Sequence, residues 1–68
     1  MLKVKIQWKW IGKQEEKQLF EVFLQTTDGM QLIFATTNFG ELADRIGHLQ
    51  KAIPQITTDD IEFMRKSS

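Results

Sequence analysis

The chain has no cysteine, one proline and one histidine among its 68 residues. Without cysteine there is no disulfide framework, no thiolate nucleophile and no cysteine-based zinc pattern. That composition fits a reducing compartment, and a cytoplasmic location is the expectation. Net charge is lacking too. Nine Lys and Arg residues balance nine Asp and Glu, so no overall field draws the chain to nucleic acid or anionic lipid. No apolar run nears the ~20 residues that span a bilayer. Met1-Leu2-Lys3 leads directly into a strand-like pattern, and no signal peptide is expected. A chain of this length reads as one domain, residues 1–68, with no repeat or linker. It buries only ~60% of its unfolded surface, so nearly every large apolar side chain is needed for the core.

Catalytic equipment is equally sparse. His48 falls on the polar side of a predicted helix, with no thiol and only the terminal Ser67 and Ser68 to activate; it reads as a solvated side chain. Glu15-Glu16 and Asp59-Asp60 are adjacent pairs in polar connections. Neighbouring residues point apart, so these suit turns and caps rather than shared acid–base work. Asp59-Asp60-x-Glu62 lacks the spacing and central glycine of a calcium loop. The four glycines are scattered and make no phosphate cradle. No catalytic residue, metal site or cofactor is therefore expected, and the chain reads as a non-enzyme.

What the chain does have is pattern. Leu2, Val4, Ile6, Trp8 and Trp10 alternate with Lys3, Lys5, Gln7 and Lys9, which predicts a half-buried strand over 2–11 with one apolar and one basic face. A polar break around Gly12 precedes a second strand over 17–26. Its inward set is Phe20, Val22 and Leu24, with Leu19, Glu21, Phe23 and Gln25 opposite. A third strand over 30–37 is expected to place Met30, Leu32 and Phe34 on one face and Gln31, Ile33 and Ala35 on the other. An Asp28-Gly29 turn would set Leu24 against Ile33 and mix the faces. A three-residue loop with Gly29 as a left-handed bulge pairs Thr26 with Met30, Leu24 with Leu32 and Val22 with Phe34, and is the register expected.

Asn38 is a good helix cap, and Glu41 has capping-box spacing. Phe39, Leu42, Ala43, Ile46, Leu49 and Ile53 recur at helical spacing as one stripe, opposite Asp44, Arg45, His48 and Lys51. Pro54 ends the helix near Ala52 or Ile53. Beyond it, Thr57-Thr58-Asp59-Asp60 can cap a short helix, or Ile61, Phe63 and Arg65 can alternate with Glu62 and Met64 as a fourth strand. The strand is the preferred reading. A right-handed crossover would set it parallel to the first strand, at the sheet edge.

The expected fold is α+β, in the order βββαβ: a three-stranded antiparallel meander, one helix on one face and a fourth edge strand. The expected core is Leu2, Val4, Ile6, Trp8, Phe20, Val22, Leu24, Leu32, Phe34, Phe39, Leu42, Ala43, Ile46, Leu49 and Ile53. One helix covers one sheet face, so Leu19, Phe23, Ile33 and Ala35 are left on the other, beside Lys3, Lys5 and Lys9. An apolar centre with a charged rim is the composition of a partner site, for another protein or a second copy. The alternative is nucleic acid, with Lys3, Lys5, Lys9 and Lys13 on phosphates and Trp10 stacking a base. Alternation weighs against it, because Trp10 points away from the lysines. In size and polarity the chain is similar to phage and plasmid accessory proteins, inhibitors of host enzymes and small antitoxins. That likeness implies a small protein-binding role and rests on size and fold class alone.

Overall fold

The computed structural model describes residues 2–66. Strand β1 (Lys3–Ile11) leads through the Gly12 loop to β2 (Lys17–Thr26), and a tight turn leads on to β3 (Gly29–Thr36). Helix α1 (Phe39–Ala52), a single 3-10 turn (Thr58–Asp60) and β4 (Ile61–Arg65) follow. The four strands form one mixed sheet in the order β3-β2-β1-β4. β1 and β2 pair antiparallel, as do β2 and β3, while β4 joins β1 in parallel. This is the expected βββαβ arrangement, with the last strand at the sheet edge. The region beyond Pro54 uses both of its readings in succession: the acidic turn is helical and the alternating segment is a strand.

The β1–β2 register follows the alternation. Val4 opposes Leu24, Ile6 opposes Val22, and Trp8 opposes Phe20. Directly paired residues share a face, so these six form the floor of the core. Val4, Ile6, Phe20 and Val22 are buried there, together with Leu42 from α1 and Ile56 from the segment after Pro54. Ile56 was absent from the expected core. It is a lone isoleucine in a polar connection, and its amide bonds back to the Ile53 carbonyl at 3.0 Å, which tucks the side chain beneath the helix end.

The β2–β3 register departs from expectation. Thr26 pairs with Gly29, Gln25 with Met30, Leu24 with Gln31 and Phe23 with Leu32. The count then slips, and Val22 pairs with Phe34. The turn is therefore the two residues Thr27-Asp28, with Gly29 at φ 131° opening β3. Ile33 is the extra residue of a β-bulge. The expected pairing Val22–Phe34 holds. The expected pairings Leu24–Leu32 and Thr26–Met30 do not, nor does the Phe23–Ile33 pairing that the same register implies. Leu32 and Met30 sit on the face of Phe23, away from the helix, and are about half exposed; they do not belong to the core. A signal for this lies in the sequence, since Leu32-Ile33-Phe34 is an unbroken apolar run that strict alternation cannot serve.

Helix α1 begins as its cap predicts. Asn38 Oδ1 accepts from the Glu41 amide at 2.9 Å. Thr36, the one buried polar side chain among the described residues, donates to Glu41 Oε2 at 3.2 Å and accepts from the Asn38 amide at 3.1 Å. The helix ends at Ala52, and the Ile53 amide bonds to the Leu49 carbonyl. Only Leu42 of its stripe is fully buried; Ile46, Leu49 and Ile53 are half-buried. Phe39, expected in the core, is 63% exposed, and Ala43 is exposed as well. Both lie on the flank of α1 that faces β4 across an open groove.

Candidate functional site

The outer face of the sheet follows from the pairing. Across one row, Leu32, Phe23, Lys5 and Glu62 lie side by side. The next row carries Ala35, Glu21, Gln7 and Met64, and Leu19 pairs with Lys9 beyond it. Among the described residues no second helix or loop layer covers this face. The principal extents, 39 × 24 × 18 Å, leave the short dimension to one helix layer on one sheet layer.

The predicted residues divide in two. Leu19, Phe23 and Ala35 do occupy the β2–β3 half of this face, the bulge adds Leu32 and Met30, and Ile33, the unpaired bulge residue, is exposed on the edge strand between Leu32 and Phe34. Exposures of 50% for Met30, 49% for Leu32 and 38% for Ile33 make an apolar strip at the sheet margin. Phe23 anchors it half-buried. The lysines are not a free stripe. Lys5 and Lys3 both donate to the Glu62 carboxylate, the latter at 3.4 Å. Lys66 reaches Glu21 at 3.6 Å. Lys9 has no acidic partner among the described residues and is the one β1 lysine left to meet an incoming charge. Glu62 was not among the predicted site residues. The signal for it was available, since a parallel β4 beside β1 must set its outward residue among the outward lysines.

Hydrogen bonds from Lys5, and next from Lys3, hold the Glu62 carboxyl below the usual glutamate range. Asp60 is also lowered, first by the hydrogen bond from the Thr57 amide and then by that from the Thr57 hydroxyl, at 2.9 and 3.1 Å. Both carboxylates are thereby kept ionised and occupied. Neither is poised as an acid or base.

The residues of the nucleic-acid reading are dispersed. Trp10 lies on the helix side of the sheet opposite Gln18, 39% exposed and edge-on to Trp8 at 6.0 Å. The Arg65 guanidinium lies over the Trp8 ring, 5.3 Å from its centroid. Lys3, Lys5 and Lys9 are on the reverse face, and Lys13 is in the loop after β1.

On the helix side, a groove of about 410 Å³ runs between α1 and β4. Phe39 and Phe63 flank it, Ile6, Ile46 and Ile61 line it, and Ala43, Gly47 and Gln50 form its helix wall. Ala43 and Gly47 leave that wall low, and a Cβ added at Gly47 would meet no atom within 4 Å. Among the described residues no cluster of His, Asp or Glu could hold a metal ion. No helix there is long and apolar enough to cross a membrane. No protein-family model, characterised protein or solved structure matches the chain.

Proposed function

We propose that this chain is a non-enzymatic protein-binding module, of the accessory or inhibitor kind, acting in the cytoplasm. Its outer sheet face takes another protein. The observation that carries this reading is the uncovered apolar strip of Phe23, Leu32, Met30 and Ile33, extended by Leu19 and Ala35. Exposed apolar area gathered beside a polar, ion-paired half is how partner sites are built. The charges define the partner. Lys3 and Lys5 are satisfied by Glu62, so they keep the β1–β4 half of the face polar without demanding a counter-charge. Lys9 is unsatisfied and favours a partner with an apolar centre and an acidic rim. The lysines that would hold phosphates are spent or lie on the opposite face from Trp10, which weighs against nucleic acid.

The test is capture from a lysate with parent, Phe23→Ser and Leu32→Ser chains. Both substitutions are expected to leave the circular dichroism spectrum intact. Each should weaken binding of the captured protein about tenfold or more, as truncation of an interface anchor does. Equal capture by all three chains would remove the outer face from consideration. A tryptophan-fluorescence titration with single-stranded and duplex oligonucleotides at low salt is expected to show no quenching. Quenching there would instead favour the nucleic-acid reading, since such binding is strongest at low salt.

A further inference from the structure

We infer that a second copy of this chain pairs antiparallel with the free edge of β4, about a two-fold axis at Phe63. The sheet has two edges, β3 and β4. β3 is blunted by the bulge at Ile33, a common device against edge pairing. β4 carries no bulge and no proline. Its outward-facing backbone groups can be assigned. The Lys66 amide donates to the Trp8 carbonyl on β1 at 2.8 Å. Amides alternate sides along a strand, so Glu62 and Met64 also face β1. Ile61, Phe63 and Arg65 then present their N–H and C=O groups to the open edge. Their side chains lie on the groove side, where Phe63 is 54% exposed.

The occupant follows from the sequence of the edge itself. With Phe63 opposite Phe63 of the second copy, Ile61 faces Arg65 and Arg65 faces Ile61. All three outward pairs are hydrogen-bonding pairs, giving about six inter-strand bonds. On the other face Glu62 meets Met64. Asp60 and Lys66 come to the same end of the interface as opposite charges, once from each copy. No like charges are opposed. Moving the axis to Glu62 would set Glu62 against Glu62, which is destabilising. Moving it to Met64 would leave Ile61 without its partner pair and forfeit bonds. The Phe63 register is the self-complementary one. It continues the sheet across two copies, keeps both helices on one side, and sets the two Phe63 rings together at the mouths of the two grooves. The outer faces stay open, so this contact is compatible with the proposed partner site and independent of it.

The absence of native cysteine makes the test simple. Paired Cα atoms in such a register lie ~5.5 Å apart, so Phe63→Cys is expected to form a covalent dimer with a short bismaleimide. Leu32→Cys, on the outer face, should not. In sedimentation equilibrium the parent mass should rise toward twice the monomer with concentration. Phe63→Pro should stay monomeric with an unchanged circular dichroism spectrum, because proline is tolerated where the strand amide faces outward. Should Phe63→Pro unfold, the two cysteine variants decide. A parent that remains monomeric at millimolar concentration overturns the inference, as does cross-linking through Leu32→Cys instead of Phe63→Cys. If partner capture is insensitive to Phe23→Ser and Leu32→Ser while Phe63→Cys still cross-links, the outer-face reading fails and this one stands.

Discussion

Glu62 shows how one side chain ties the last strand to the first. Its carboxylate collects both Lys5 and Lys3, and β4 is otherwise a five-residue edge strand. Because these lysines hold the folded-state pKa below the ordinary glutamate value, the linkage has one sign. The stabilising contribution is fully present above the unfolded pKa and is lost as the pH falls through the lower folded value. Amide exchange followed through mild acid should therefore show β4 losing protection ahead of β1 and β2. Glu62→Gln should remove that acid step and leave β4 already less protected at neutral pH. Identical β4 protection in parent and Glu62→Gln at neutral pH would show the ion pairs to be inert. A second residue-scale expectation concerns Gly47. An added Cβ there would meet no atom within 4 Å, so the glycine serves no close helix–sheet approach. Gly47→Ala should raise stability by about 1 kcal/mol from helix propensity, read from a denaturant midpoint.

Among the elements, β3 is where alternation and structure part. Its two halves run in different phase: Leu32 and Met30 face outward, Phe34 and Thr36 inward, with Ile33 between them. Deleting Ile33 would place Leu32 and Phe34 in one continuous ladder without turning either residue to the other face. The deletion chain is therefore expected to fold, within about 1 kcal/mol of the parent. Deleting Gln7 from the regular strand β1 should unfold the protein, because every apolar residue on one side of the cut changes face. Chemical denaturation of the two deletion chains separates a true bulge from a merely mispaired strand. β1, β2, α1 and β4 were legible because each keeps one period from end to end, and the Asn38 cap and Pro54 mark the helix limits. The β3 register was not, because turn length and bulge trade against each other. A two-residue Thr27-Asp28 turn plus an inserted Ile33 gives the same Val22–Phe34 pairing as a longer loop with none.

For the whole molecule, the governing fact is a small core beneath a helix that does not cover its sheet. Among the described residues six hydrophobic side chains are buried, while Phe39 and Phe63 stand exposed on either side of an apolar groove. Half of the outer site was readable from composition and period, since a lone helix leaves one face bare. The groove was not, because it depends on how far the helix axis stands from β4, and periodicity reports direction rather than distance. Stability should therefore track location and not side-chain size. Leu42, 2% exposed, should cost about 2–5 kcal/mol when cut to alanine, a large share of the ~3–10 kcal/mol expected for a domain of this length. Phe39 is the larger side chain, yet beyond its edge contact with Phe20 at 5.8 Å it loses little on truncation. Phe39→Ala should cost about 0.5–1.5 kcal/mol, the worth of such an aromatic pair. Leu42→Asp should abolish folding, because a buried carboxylate without a partner is among the costliest changes. Urea titrations of the alanine variants, with circular dichroism of Leu42→Asp, check all three. A Phe39→Ala cost equal to that of Leu42→Ala would mean that the groove is closed in solution and that the helix lies nearer to β4.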